Sequence, residues 1–277
     1  MFRLDFNIRR EDEDDFTDRL FDSGAGSVSA RRGSDGGVVL SAIFAEAGDA
    51  GDYITMASAM EELEESIWKY RWLEDCRGYE LNSEVYIYPV TSSAPVSGHF
   101  AHTIYIDPRD AFGDGRHPTT TMCLSMLYDI LKSRAPGSPD PPDMLDVGTG
   151  TGILSILAEL LGAGSIEAID LDETSVEMAR KNIALNKCRR VSVSRSGIEE
   201  YLPGKRFDIV AANLLYGIIA DNIDRLVALV KPGGLMIASG LSIRWEKEIE
   251  SLFARKGLPV EKKSRLEEWL AYLLRVG

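Results

Sequence analysis

The chain has 277 residues, 31 of them Lys or Arg and 44 Asp or Glu, for a formal charge of −13; 44% hydrophobic and 27% charged residues describe a folded globular protein. At about 150 residues per domain, two domains are the first expectation. The sequence has no apolar run of about 18 residues, which excludes a spanning helix, and its alternating first ten residues do not make a secretory signal.

The front part reads as small alternating elements. Phe2, Leu4, Phe6 and Ile8 are apolar between polar neighbours, the period of a half-buried strand. Phe16, Leu20 and Phe21 share one face of a predicted helix over residues 12–22, behind an acidic first turn. Short strands follow near 27–31 and 38–44, punctuated by glycines. Met56, Met60, Leu63 and Ile67 are in helical register, and residues 85–88 give another strand. The order β-α-β-β-α-β is the ferredoxin-like pattern, so a smaller α+β domain is expected over 1–89.

Residues 90–142 are expected to connect: a loop-rich stretch, then a helix carrying Met122, Leu124, Met126, Leu127 and Ile130, then the Pro- and Gly-rich run 135–142. From 143 to 277 strands and helices alternate, with near-continuous apolar strands, which implies a mostly parallel sheet covered on both faces. The last two predicted strands, 259–265 and 269–276, follow each other without a helix.

Charge and cysteines bear on partners and compartment. Residues 1–89 hold 9 basic and 20 acidic side chains, while 90–277 hold 22 and 24. An acidic front disfavours nucleic-acid binding and suits a basic partner, although acids that only keep a domain soluble read the same way. Cys76, Cys123 and Cys188 form no Cys-x-x-Cys pair, so a disulfide scaffold or a thiolate zinc site is not expected and a cytoplasmic setting fits. His99 and His102 have His-x-x-His spacing without a third ligand nearby, so no metal site is expected.

The chemistry concentrates after residue 110. Asp146-Val-Gly-Thr-Gly-Thr-Gly152 follows a strand and opens a helix, which brings backbone N–H groups close to a ligand; its spacing differs from the dinucleotide fingerprint Gly-x-Gly-x-x-Gly. Asp170 ends the next strand, where an acid can accept both hydroxyls of a ribose. Asp172 is expected to support the following helix, where Thr174 and Glu177 also have capping-box spacing. Asn213 ends the fourth strand at the carboxyl edge, able to donate and to accept. Lys231-Pro-Gly-Gly234 reads as a turn.

Together these residues resemble the S-adenosylmethionine-dependent methyltransferases of the Rossmann-like class. A narrower resemblance lies upstream: Ala111-Phe-Gly-Asp-Gly-Arg-His-Pro-Thr-Thr120 is similar to the Ala-Phe-Gly-Thr-Gly-x-His-x-Thr-Thr signature of the ribosomal protein L-eleven methyltransferase family (PrmA-like). Asn213-Leu-Leu215 and Glu268-Trp269 resemble further segments of that family. The resemblance implies S-adenosyl-L-methionine as cofactor, held by Phe112, Thr120, Asp146, Gly148, Thr149, Gly150, Gly152, Asp170, Ser196 and Asn213, with Asn213 also at the methyl-transfer site. Phe112 and His117 would shape the covering loop; for His117, plain packing beside Pro118 is the alternative. Asp114 and Arg116 depart from the signature, either as an ion pair stiffening the loop or as a change in what enters the site.

The implied activity is methyl transfer to a protein nitrogen, lysine first, on a basic ribosomal protein in the cytoplasm, with no direct nucleic-acid or membrane contact. Rival readings are another protein lysine, RNA or a small molecule as acceptor, a nicotinamide oxidoreductase, and a non-catalytic protein that keeps the cofactor fold. Asn213 is followed by Leu214 rather than Pro, unlike the Asn-Pro-Pro-Tyr/Phe form of nucleic-acid amino methylation.

Overall fold

A computed structural model describes residues 2–25, 27–32, 37–44, 50–51, 53–62, 77–92, 98–109, 111–134, 140–202 and 204–277. The chain divides into two compact units, 1–74 and 75–277.

The first unit contains β1 (Phe2–Arg9), α1 (Glu13–Asp22), β2 (Ser27–Arg32), β3 (Gly37–Phe44), a short helix α2 (Tyr53–Met56) and β4 (Ala59–Glu62). Its sheet runs β2-β3-β1-β4 with every pair antiparallel, the interleaved arrangement of the ferredoxin-like pattern. The alternation of β1 turns Leu4 and Phe6 into a core with Leu20, Leu40, Ala42 and Phe44. Phe16 and Tyr53 meet the Phe6 ring edge-on, at 5.2 and 6.2 Å between centroids. The Phe21 side chain lies outside the described atoms.

Two expectations change here. Met56 ends a helical turn, but Met60 is in a strand, opposite Leu4. The Ala57 N–H closes the turn on the Tyr53 carbonyl, and the Ser58 N–H and hydroxyl both donate to the Asp5 carbonyl, at 2.7 and 2.8 Å. That grip lays the chain alongside β1 and stops a longer helix. Leu63 and Ile67 lie outside the described residues. The pattern's last strand is therefore Ala59–Glu62, and residues 85–88 belong elsewhere.

They belong to the second unit, in a three-stranded sheet of β5 (Tyr79–Glu80), β6 (Val85–Pro89) and β7 (His102–Ile106). The segment 90–142 is likewise more than a connector. Ile104 and Ile106 of β7, and Met122, Leu124 and Leu127 of α3 (Pro118–Lys132), share one buried cluster with Val85, Ile87, Met144 and Ile153. Packing of these faces against one another places residues 75–89 with the second unit, and the division falls at 74/75 and not at 89.

The main sheet is built from β8 (Met144–Val147), α4 (Ile153–Leu160), β9 (Ile166–Asp170), α5 (Glu173–Leu185), β10 (Val191–Arg195), β11 (Phe207–Asn213), α6 (Tyr216–Ala228), β12 (Val230–Ser242), α7 (Glu246–Arg255), β13 (Val260–Leu266) and β14 (Trp269–Arg275). Its order is β10-β9-β8-β11-β12-β14-β13; the first five are parallel and β14 runs antiparallel to both of its neighbours. All of β8 is buried. The order reverses between β8 and β11, so their carboxyl ends open the crevice where such sheets bind ligands.

Residues 231–234 lie inside β12 instead of before it. Val230 pairs with Phe207 and Leu235 with Ile209, so the intervening residues bulge, and the Gly233 N–H is donated to the Val276 carbonyl at 2.8 Å. Among the described residues no helix is long and apolar enough to cross a membrane.

Candidate functional site

The turn after β8 is shaped by its neighbours on both sides. The Gly148 and Thr149 N–H groups donate to the Ile169 carbonyl, at 2.9 and 3.0 Å, and the Gly150 N–H donates to Asp170 Oδ2 at 2.9 Å. Gly150 has φ +54°, and a Cβ on it would overlap the Phe112 carbonyl oxygen. Only glycine allows the turn and the Phe112 loop to approach this closely. The Thr151 N–H completes the contact by donating to that carbonyl at 3.0 Å, and the Thr151 hydroxyl donates to the Gly113 carbonyl. Gly152 caps α4.

Asp146 sits beneath this turn, 1% exposed. Its Oδ2 accepts from the Thr149 hydroxyl (2.7 Å) and the Ser155 hydroxyl (2.8 Å), while Oδ1 is buried without a partner. Burial first, and the nearby Asp170 charge after it, push the Asp146 carboxyl up to about 6.

Asp170 holds two backbone groups, Gly150 N–H on Oδ2 and Asp172 N–H on Oδ1 at 3.1 Å. A carboxylate offers about four lone-pair sites, so each oxygen can still accept one hydrogen bond from a ligand. Ser196, whose N–H donates to the Asp170 carbonyl at 2.9 Å, lines with Gly148 and Asp170 a hollow of about 500 Å³. Asp172 caps α5 by accepting from the Thr174 and Ser175 N–H groups at 3.2 and 3.1 Å. Thr174 is thus already inside the helix, and the expected Thr174–Glu177 box does not form.

On the other side of the switch point, Asn213 Nδ2 donates to Thr120 Oγ1 at 3.4 Å, and Asn213 Oδ1 is buried without a partner. Thr120 is 1% exposed on the first turn of α3. His117 caps that helix: its Nδ1 accepts from the Thr119 N–H at 3.4 Å and lies 2.8 Å from the Thr119 hydroxyl. Its ring stands edge-on between Phe112 and Trp269, each 5.1 Å away, and burial holds it below the ordinary imidazole range. This geometry supports packing for His117. Asp114 accepts from the backbone N–H of Arg116 (3.0 Å) rather than pairing with its guanidinium, which donates to the Arg77 carbonyl.

The fold therefore brings Gly148, Asp170 and Ser196 to one hollow, ties Phe112 to the glycine turn, and joins Thr120 to Asn213. Sequence reading missed Asn182, which is fully buried on α5 and binds the backbone of Asp107 and Thr151. A polar residue in register with Val176, Ala179 and Ile183 on an apolar face is the signal that could have found it.

The donor and acceptor set fits a charged nucleoside. S-Adenosylmethionine carries ribose hydroxyls and an ammonium, all donors, and the site leaves acceptors free on Asp170, Asp146 and Asn213.

The family model for ribosomal protein L11 methyltransferase (PrmA) matches residues 39–276. Ribosomal protein L11 methyltransferases of Bacillus cereus and Bacillus anthracis are each 37% identical over 217 residues, covering 78% of this chain and 67% of theirs. The crystal structure of ribosomal protein L11 methylase from Lactobacillus delbrueckii subsp. bulgaricus superposes with a TM-score of 0.63 at 27% identity, over 72% of this chain and 98% of that one. The chain belongs to the ribosomal protein L11 methyltransferase (PrmA) family of S-adenosylmethionine-dependent methyltransferases.

Proposed function

We propose that this chain methylates amino groups, lysine first, of ribosomal protein L11, with residues 1–74 docking that basic substrate. The observation that carries the reading is the meeting of two half-sites at the switch point. Asp170 and the glycine turn border the hollow on one strand end, and Asn213 offers an unpartnered buried oxygen on another.

When bound, S-adenosylmethionine supplies a methyl group made electrophilic by the sulfonium. Asp170 holds the ribose through its remaining lone pairs, and the backbone of Gly148 and Gly150 allows close approach. Asn213 Oδ1 accepts a hydrogen bond from the acceptor nitrogen and so aligns it. An amine with a reference pKa of about 10.4 gives its proton to solvent, and its lone pair then attacks the methyl carbon as the sulfonium leaves as a thioether. The rest is alignment, which needs no covalent enzyme intermediate.

The first unit holds 8 basic and 17 acidic residues, which suits a basic protein and disfavours nucleic acid. Cys123 and Cys188 are free thiols, in keeping with a cytoplasmic setting. Incubation with methyl-labelled S-adenosylmethionine and purified L11 should label L11 on amino groups. Label on another component of a fractionated extract, with none on L11, would replace this substrate.

A further inference from the structure

The segment 196–206 and helix α6 both run from the carboxyl edge of the main sheet to its amino edge, and together they border two hollows. At the carboxyl edge Ser196, Ile218 and Asn222 line the hollow of Gly148 and Asp170. At the amino edge Tyr201, Leu202 and Arg206 line a second one of about 410 Å³ with Arg225 and Leu229. Positions 218, 222, 225 and 229 are spaced four, three and four apart, so one helix face serves both ends.

The second hollow holds positive charge without a counter-ion, in a chain of net charge −13. Its Lys205 is taken by Asp143 at 3.0 Å and Glu167 at 3.7 Å, while Asp208 and Asp224 are taken by Lys231 and Lys256. Arg206 and Arg225 form no ion pair among the described residues. Arg225 is half-buried: one Nη donates to the Tyr201 carbonyl at 3.0 Å, and its Nε is buried without a partner. A guanidinium drawn out of water in this way is costly until an anion meets it. Beside these charges Leu202, 86% exposed, offers an apolar rim.

Two unpaired guanidinium groups match a dianion, and their planar forks suit the oxygens of a phosphate. A phosphate monoester carries a charge of about −1.5 to −2 at pH 7, and an apolar substituent on it can cover Leu202.

We propose that this hollow binds a phosphate monoester with a small apolar body, and that its occupation tightens cofactor binding at the other end of the groove. A continuous set of hydrogen bonds joins the two ends. Arg225 holds the Tyr201 carbonyl, the Tyr201 and Glu200 N–H groups donate to the Gly197 carbonyl at 3.0 and 3.2 Å, and the Ser196 N–H donates to the Asp170 carbonyl at 2.9 Å. An anion shared by Arg206 and Arg225 holds the segment 196–206 against α6, the two walls that also border the cofactor hollow. By linkage, the cofactor tightens the phosphate ester by the same factor.

The test uses the full chain with phenyl phosphate as probe, and with inorganic phosphate and benzyl alcohol as its two halves. Ionic strength is held constant with sodium chloride. Ligand-observed NMR should show saturable binding of phenyl phosphate, weakened roughly tenfold by Arg225→Gln or Arg206→Gln through loss of charge-assisted bonds. Because Arg225 also holds the Tyr201 carbonyl, the exposed Arg206 supplies the variant that leaves the fold untouched. Calorimetry should find S-adenosylhomocysteine bound about fivefold more tightly at saturating phenyl phosphate in the native chain, and no such gain in Arg206→Gln. Absence of saturation at tens of millimolar, or equal binding by the native chain and Arg206→Gln, would overturn the site. Inorganic phosphate binding as tightly as phenyl phosphate would overturn the monoester. An unchanged S-adenosylhomocysteine affinity, or a gain that persists in Arg206→Gln, would overturn the coupling.

Discussion

Asn182 serves as a stand-in strand for Asp107: its Oδ1 accepts the Asp107 N–H at 2.8 Å, and its Nδ2 donates to the Asp107 carbonyl at 3.2 Å. The same Nδ2 donates to the Thr151 carbonyl at 2.9 Å, so one buried amide joins the end of β7 to the glycine turn. Asn186, one turn later, does the same for Tyr105, accepting its N–H at 2.8 Å and donating to its carbonyl at 2.6 Å. Asn182→Ala should therefore strand buried backbone groups and cost about 3 kcal/mol, at roughly 1–3 kcal/mol for each group left unsatisfied. Urea unfolding would measure it. A loss below about 0.5 kcal/mol would mean that water replaces the amide without penalty.

Asp170 has a double role, which makes its substitutions separable. Asp170→Ala removes the proposed ribose acceptor and the grip on Gly150 N–H together, so S-adenosylmethionine affinity should fall at least tenfold, from charge-assisted bonds of about 1.5–3 kcal/mol each. Asp170→Asn keeps one acceptor oxygen and should lose less. Calorimetry on folded variants decides it, and equal affinities in all three proteins would remove Asp170 from the cofactor site. Under the same conditions NAD should give no heat of binding.

Gly150→Ala is expected to act on the turn without unfolding the sheet. The added methyl group meets the Phe112 carbonyl at a backbone of φ +54°, so the Phe112 loop must retreat. Cofactor affinity should fall by tenfold or more, while the strands keep their protection against hydrogen exchange. Protection lost throughout β8 and β11 would show that the turn and the sheet form one cooperative element.

The parts of this site legible in the sequence are those carried by a local signal. Glycines at a strand-to-helix turn, an acid closing the next strand and Asn213 closing a third are readable because parallel sheets align their carboxyl ends at one edge. Residues 85–88 are a short β-prone apolar run, but such a run does not name a partner strand, and so they read as the end of the first domain. Met60 has helical spacing from Met56, yet the Ser58 grip on Asp5 reaches 53 positions back along the chain. The meeting of His117 with Trp269 is equally remote in sequence and has no pattern to announce it.

Asp146 predicts a pH dependence of stability. Its carboxyl is raised to about 6 in the folded chain, against about 3.9 when unfolded. Between those values the folded state binds more protons, so this residue's contribution is full below about pH 4 and is lost as pH rises through about 6. At 1.36 kcal/mol per pH unit the change amounts to about 3 kcal/mol at most. Asp146→Asn keeps an acceptor for Thr149 and Ser155 but cannot ionise. Relative to the native chain, the variant should gain stability between about pH 4.5 and pH 7. Parallel urea midpoints at the two pH values would show that Asp146 ionises as freely in the fold as in solution.

The division at 74/75 makes the last prediction sharp, because two truncations fifteen residues apart should behave in opposite ways. A chain beginning at residue 75 keeps β5 and β6 under the α3 cluster, so it should fold and bind S-adenosylmethionine with native affinity. One beginning at residue 90 loses Val85 and Ile87, both fully or almost fully buried, and exposes the apolar face of β7 and α3. Burial of such side chains is worth about 1.5–3 kcal/mol each, so the shorter chain should aggregate or bind poorly. The longer one should bind cofactor but methylate L11 far more slowly, since the acidic unit proposed to dock it is gone. Reversing several acids between Glu11 and Asp18 in the full chain should slow association with L11 more than release, and less so at 1 M salt, where the Debye length is about 3 Å. Full-rate methylation by the chain beginning at residue 75 would refute substrate docking by the first unit. Native cofactor affinity in the chain beginning at residue 90 would instead show that β5 and β6 are dispensable to the second.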